Sequence, residues 1–318
     1  MRAIFTLIVI FVVNSAFAVE EHRIAGPTPN LANPNVVQVS DRVFAMVGDM
    51  DVPNKINQGY ICNSVFVIGE AGVMVFDSGG SKQIGEMIIR EIRKRSDKPI
   101  THVFNTHHHA DHWMGNQAFI ESSTKTKIFG HAVMIDTAQQ IGDQWTKILL
   151  DMTKGETAGT RPVYPSERLQ GNETLQLHGL TLKLYHPAHA HTKGDIAVLI
   201  EEEKVLLAGD ILFYLRTPGF QDASPMGNLK ALQDLKQMSF TKVVPGHGPV
   251  TDKNGIDYMI DYVHLLHDQV KHYFDEGLAD FEMKNKIEVG KYRQMSGFDD
   301  RFGINVNRMF LEVEESSF

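Results

Sequence analysis

Six consecutive residues constrain this chain more than any other feature: His107-His108-His109-Ala110-Asp111-His112. His107, His109, Asp111 and His112 offer imidazole nitrogens or a carboxylate oxygen, the donors that suit zinc. The run follows Thr101-His102-Val103-Phe104-Asn105, which reads as a short buried strand entering a polar turn. A strand end feeding a loop is where α/β folds place chemistry. Three more residues of the same character follow. His191 sits in Ala190-His191-Thr192-Lys193-Gly194-Asp195, Asp210 ends the apolar run Val205-Leu206-Leu207-Ala208-Gly209, and His247 sits in Val243-Val244-Pro245-Gly246-His247-Gly248. Each lies at the end of an apolar segment or beside a Gly or Pro turn. A lone histidine in a turn is usually structural, but these seven residues together could fill two neighbouring metal sites.

The order of these motifs resembles the metallo-β-lactamase-fold superfamily. The resemblance runs from about Val36 to about Val250 and includes a strand, an Asp and a Gly turn at Val73-Met74-Val75-Phe76-Asp77-Ser78-Gly79-Gly80. It implies an α/β fold of αββα layers, two mixed sheets inside and helices outside. It also implies two Zn2+ per chain. His107, His109 and His191 would hold the first, Asp111, His112 and His247 the second, with Asp210 between them. Such ions lower the pKa of bound water to ~7 and supply a bridging hydroxide at neutral pH. Asp111 is the catalytic candidate, able to accept a proton and pass it to the leaving group. Asp77 and Asp195 are expected to orient imidazoles or tie loops. His108 should point away from its neighbours and line the pocket or serve structure. His186 and His189 crowd His191 without matching its motif context, and His264 and His267 read as a solvated helix face.

The chemistry expected of this arrangement is hydrolysis of an ester, thioester, lactone or related bond. The alternatives are a lactam hydrolase and a mononuclear iron dioxygenase or oxidoreductase of the same fold. Asp at position 210 argues against the lactamase classes, and His109 stands where the diiron branch carries Glu. The full second ligand set argues against the one-iron reading. The segments Asn105–His112, Gly115–Phe119, Gly209–Phe213 and Val244–Pro249 resemble the exported metallo-hydrolase branch associated with sulfur-oxidation and quinoprotein-relay gene clusters. Tyr214 is placed to reach the pocket by analogy with lactonases.

Residues 1–18 read as a signal peptide: Arg2, an apolar run from Ala3 to Val13, and Ala16-Phe17-Ala18 before the cleavage point at Val19. The apolar stretch is shorter than the ~20 residues of a spanning helix. A periplasmic or secreted protein is expected, with no membrane contact after cleavage. Removing Arg2 with the leader leaves 30 basic against 39 acidic residues. An acidic exported chain argues for a small-molecule substrate and against nucleic acid. The one cysteine, Cys62, excludes an intramolecular disulfide and reads as a buried residue of a strand over Tyr60–Ile68.

Strand patterns fall at Val36–Val47, Ser64–Ile68, Val73–Phe76, Thr101–Phe104, Lys127–Phe129, Thr174–Leu177, Leu180–Tyr185, Ile196–Ile200, Lys204–Ala208 and Lys242–Val244. Helices are expected from Ser81 to Arg95, over Gly115–Ile120, from His131 to about Met152, over Asn228–Met238 and over Gly255–Gly277. Residues 36–250 are expected to form the metallo-β-lactamase domain. Residues 251–318 are expected to form a C-terminal helical extension packed on it.

Overall fold

The computed structural model describes residues 30–317. The leader and its cleavage point lie outside the described residues. Among the described residues, twelve strands form two sheets. The first has the order β1 (Asn35–Gln38), β2 (Val43–Val47), β3 (Ser64–Ile68), β4 (Val73–Phe76), β5 (Ile100–Asn105), β6 (Lys127–His131) and β7 (Glu167–Leu169). Its first four strands pair antiparallel and the rest parallel. The second has the order β12 (Lys242–His247), β11 (Val205–Phe213), β10 (Ala197–Ile200), β9 (Leu180–Tyr185) and β8 (Thr174–Leu177). Only β11 and β12 pair in parallel there.

The alternation of side chains along each strand assigns residues to layers. Val65 and Val67 of β3 face Leu182, Val198, Val205 and Leu207 of the second sheet, forming the core between the sheets. Phe66 turns the other way, onto Ile84 and Ile88 of α1 (Lys82–Arg93) and Phe119 of α3 (Asn116–Ser122). Leu206 and Ala208 turn outward from the second sheet. They meet α5 (Pro225–Gln237), α6 (Lys253–Asp275) and α8 (Phe298–Ser316). This is the expected αββα layering. Both faces of the central strands are covered, so β11 is buried along all nine residues, with Asp210 its one charged side chain.

Local signals place the helices. Ser81 Oγ accepts from Ile84 N (3.3 Å) and starts α1. His131 Nδ1 accepts from Val133 N (3.3 Å) and starts α4 (Ala132–Met152). In α6, Ile256, Met259, Val263, Leu266 and Val270 recur at helical spacing on one buried face.

Some boundaries differ from the sequence reading. Val36–Val47 divides into β1 and β2 because the chain reverses through Val39–Arg42, where Val39 N donates to Val43 O (2.8 Å). The three residues of β7 carry too little pattern to stand out in a turn-rich stretch. Cys62 precedes β3, its thiol donating to the Asp111 carbonyl at 2.8 Å. Asp210 lies within β11 rather than at its end, because the strand continues past a register irregularity at Gly209.

One polar contact ties the sheets together at their turns. Glu203 accepts from Ser40 Oγ (2.6 Å) and from Arg42 Nε (2.6 Å), and its side chain is 8% exposed. Burial opposes its charge, but the bonds from Ser40 and Arg42 hold its carboxyl below the ordinary 4.5. Glu203→Ala should cost ~2 kcal/mol at pH 7. A carboxylate depressed on folding stabilises above its unfolded pKa and loses that contribution as pH falls through the folded one. The gap in melting temperature between wild type and variant should therefore narrow as pH falls below the ordinary glutamate value of 4.5.

Candidate metal centre

The seven residues come from four chain segments, and the fold brings them to one edge of the two sheets. The loop after β5 carries His107 and His109, and α2 (Ala110–Trp113) carries Asp111 and His112. Asp77, just after β4, adopts φ 58° and turns its carboxylate onto this loop. Its oxygens accept from Thr106 N (2.8 Å) and Thr106 Oγ1 (2.9 Å), and Oδ2 lies 2.8 Å from His112 Nδ1. Nδ1 of His112 therefore carries the proton and Nε2 is left bare. Asp195 closes the His191 turn by accepting from Thr192 N (2.8 Å) and Thr192 Oγ1 (2.5 Å).

Two groups of ligand atoms result: His107, His109, His191 and Asp210 in one, Asp111, His112 and His247 in the other. In the first, His109 Nδ1 lies 3.0 Å from His107 Nε2 and 2.9 Å from His191 Nε2. In the second, Asp111 Oδ2 lies 3.3 Å from His247 Nε2 and 3.6 Å from His112 Nε2. Asp210 stands between. Its Oδ1 is 3.2 Å from His112 Nε2, and its Oδ2 is 3.3 Å from His191 Nε2 and 3.4 Å from His247 Nε2. A tetrahedral ion with bonds of ~2.0 Å sets its ligand atoms ~3.3 Å apart. These separations bracket that value.

The donor set fits a cation on chemical grounds as well. Imidazole lone pairs converging at 3 Å repel unless a positive charge lies among them. His112 Nε2 and Asp210 Oδ1 are buried and have no hydrogen-bond partner among the described residues. Burial pushes His107 and His191 down, His191 to about 3, which keeps both neutral and able to ligate. For His112, burial is outweighed by the charges of Asp210, Asp111 and Asp77, and its pKa rises. Asp210 and Asp111 are held far below the usual carboxylate range despite burial, by His247 and His112 at the first and by His112 and His247 at the second.

Glycine is required where the ligand loops touch. A Cβ on Gly246 would run into Asp210 Oδ1 and come within 2.8 Å of Asp210 N. Asn63 locks the same loop, its Nδ2 donating to Pro245 O and Gly248 O, both at 2.8 Å.

The other histidines stand outside these two groups, although His108 forms a third cluster with His109 and Asp222. The ring of His108 is buried beside that of His109, and its carbonyl accepts from Trp113 Nε1 (2.8 Å). His186 stacks on His131 at 4.0 Å, His264 is exposed and His267 is half-buried. Tyr214 meets Tyr258 edge-on at 5.7 Å, and it is Phe213 that stacks on His247 at 5.1 Å. Sequence reasoning missed Asn63, Arg216 and Asp222. Asp222 Oδ2 lies 2.9 Å from His109 Nε2, while His189 Nε2 lies 2.9 Å from the Asp222 carbonyl. That contact fixes the His109 tautomer, leaving Nδ1 bare. Asp222→Ala should weaken zinc binding ~10- to 100-fold in a competition titration.

The metallo-beta-lactamase superfamily family model matches residues 57–247. The chain belongs to this superfamily. The linear primary-alkylsulfatase of Pseudomonas sp. (strain ATCC 19151) is 24% identical over 69% of this superfamily member and 48% of the relative. The chain thus spans about half the length of that enzyme. A solved metallo-beta-lactamase from Pontibacter korlensis superposes with a TM-score of 0.58 at 19% identity, over 73% of this chain and 99% of its own. The sec-alkyl sulfatase PisA1, as a double mutant, gives a TM-score of 0.68 at 14% identity, over 88% of this chain and 50% of its own. Both structural likenesses are of fold. Hydrolases predominate in this superfamily.

Proposed function

We propose that this protein is an exported, dinuclear zinc-dependent hydrolase of an ester, thioester, lactone or related bond. The observation that carries the reading is Asp210, whose two oxygens face the two ligand groups at 3.2 to 3.4 Å. One carboxylate so placed is suited to bridge two ions. When bound, a zinc pair supplies Lewis acidity and a nucleophilic oxygen at neutral pH. The protein does the rest. Asp77 and Asp222 hold imidazoles in the tautomer that leaves the inward nitrogen free. Asp111 turns Oδ2 to His112 and His247, so Oδ1 is the atom that takes a proton and returns it to the leaving group.

The alkylsulfatase likeness adds sulfate esters to the bonds worth testing. The test is turnover by zinc-loaded protein of a panel of esters, thioesters, lactones, lactams and alkyl sulfates. Selective hydrolysis of one of the non-lactam classes supports the reading. Lactam turnover alone would favour a lactamase. Oxygen consumption with iron, and no hydrolysis, would favour a dioxygenase. Export belongs to the same proposal, resting on Arg2, the apolar run to Val13 and Ala16-Phe17-Ala18, and so does membership of the exported branch. Mass spectrometry of the native protein should find Val19 as its first residue, and a chain retaining Met1 would contradict export.

A further inference from the structure

The C-terminal segment is pinned to the loop between β11 and α5. Asn305 of α8 accepts from Phe220 N (3.3 Å) and donates to Pro218 O (3.1 Å), and Arg308 Nε donates to Ala223 O (2.6 Å). Thr217 N donates to Ser296 O (3.0 Å), and Ser296 Oγ donates to Met50 O (2.8 Å). These bonds and the Arg216–Ser296 bridge bring together Arg216, the first turn of α8 that carries Arg301, and the loop after β2, with Arg216 touching His247.

Arg216 is 1% exposed, yet has no hydrogen-bonded carboxylate among the described residues. Its Nη2 donates to the Asp51 carbonyl (3.1 Å). Its Nη1 lies against His247 Nδ1, which is itself 2.8 Å from the Ile61 carbonyl. With His247 Nε2 turned to Asp111, Nδ1 must carry the proton that Ile61 accepts. It cannot then also accept from Arg216. Arg216 Nε, Thr217 Oγ1 and Arg301 Nη1 are buried without partners among the described residues. Gly297, at φ 67°, lacks the Cβ that would strike Arg301 Nη1. Burial and then the Arg301 charge lower Arg216 to about 10, while Asp111 is the foremost charge favouring the Arg301 cation. Asp111, Asp210 and Asp49 favour the Arg216 cation too, but none is bonded to it, and a buried guanidinium with unmade hydrogen bonds is costly to keep.

We infer that Arg301 and Arg216 form an anion subsite beside the second ligand group, taking a carboxylate, sulfate or phosphate group carried by the substrate. Arg301, half-buried, makes the contact, and Arg216 stands behind it as a fixed charge. The planar fork of arginine suits these oxyanions. This assignment rests on the hydrolase reading for its substrate, but the binding it predicts can be measured without turnover.

Sodium succinate and sodium sulfate, at constant ionic strength, are titrated calorimetrically into zinc-loaded wild type, Arg301→Met and Arg301→Lys, with melting curves confirming that each is folded. Wild type should bind one probe about 10-fold tighter than Arg301→Met, with Arg301→Lys between them. Stronger succinate binding indicates a planar carboxylate, and stronger sulfate binding a tetrahedral group. Equal affinities in wild type and the folded variants, or no binding to wild type, overturn the inference. Turnover of matched monosuccinyl and butyryl esters of one phenol separates the two claims. If neither ester nor any other panel substrate is cleaved, the hydrolase reading fails while anion binding still stands or falls by calorimetry. Cleavage of both without an Arg301-dependent preference for the charged ester keeps the hydrolase and sinks the subsite.

Discussion

Asp210→Ala is expected to release both ions and to lower kcat/KM by ~10³-fold, the scale of a lost metal contribution of several kcal/mol. The size follows from position. Asp210 faces His112 with one oxygen and His191 and His247 with the other, so no single replacement disturbs both groups as fully. Five imidazoles would remain with Asp111 as the one carboxylate among the seven, too little negative charge for two divalent ions. Metal analysis after gel filtration should find both sites depleted, whereas His107→Ala should empty mainly the first group. His264→Ala, on an exposed helix face, should change neither metal content nor rate.

Asp111→Asn should act differently. Its amide oxygen can still face His247 and His112, so much of the metal should be retained. The proton acceptor is lost, and kcat should fall ~10²- to 10⁴-fold with a smaller change in KM. Burial would raise the Asp111 pKa, but His112 and His247 hold it well below the usual range, so it stays ionised where ordinary carboxylates begin to take up protons. Loss of activity below neutrality should therefore follow the histidines, whose protonation competes with metal. His112 should be the most sensitive, because Asp210, Asp111 and Asp77 raise its pKa against the effect of burial. Metal content measured against pH should fall together with the rate. Near-normal turnover in Asp111→Asn with both ions kept would remove the proton-transfer role.

The candidate ligands are legible because each sits where a pattern breaks. His107 to His112 share one loop, and His191, Asp210 and His247 each adjoin a Gly turn or an apolar run. The layers were legible because β3, β4 and β9 keep clean strand patterns between turn residues. What escaped depends on contacts across the chain. Asp222 reaches His109 across 113 positions and Asn63 reaches Gly248 across 185, and nothing local to either residue marks the partner. Nothing in the sequence around Arg216 or Arg301 marks them, and only the packing of α8 encloses the first and half-buries the second. Phe213, which nothing in the sequence marks, takes the place beside His247, while its neighbour Tyr214 meets Tyr258.

The most direct test of the central claim is a zinc titration of chelator-treated protein, counting bound ions per chain while following hydrolysis of the best panel substrate. Two ligand groups joined by Asp210 predict a plateau at two ions per chain, with activity still rising until the second is bound. Full activity at one ion per chain, unchanged by further zinc, would contradict the two-metal account.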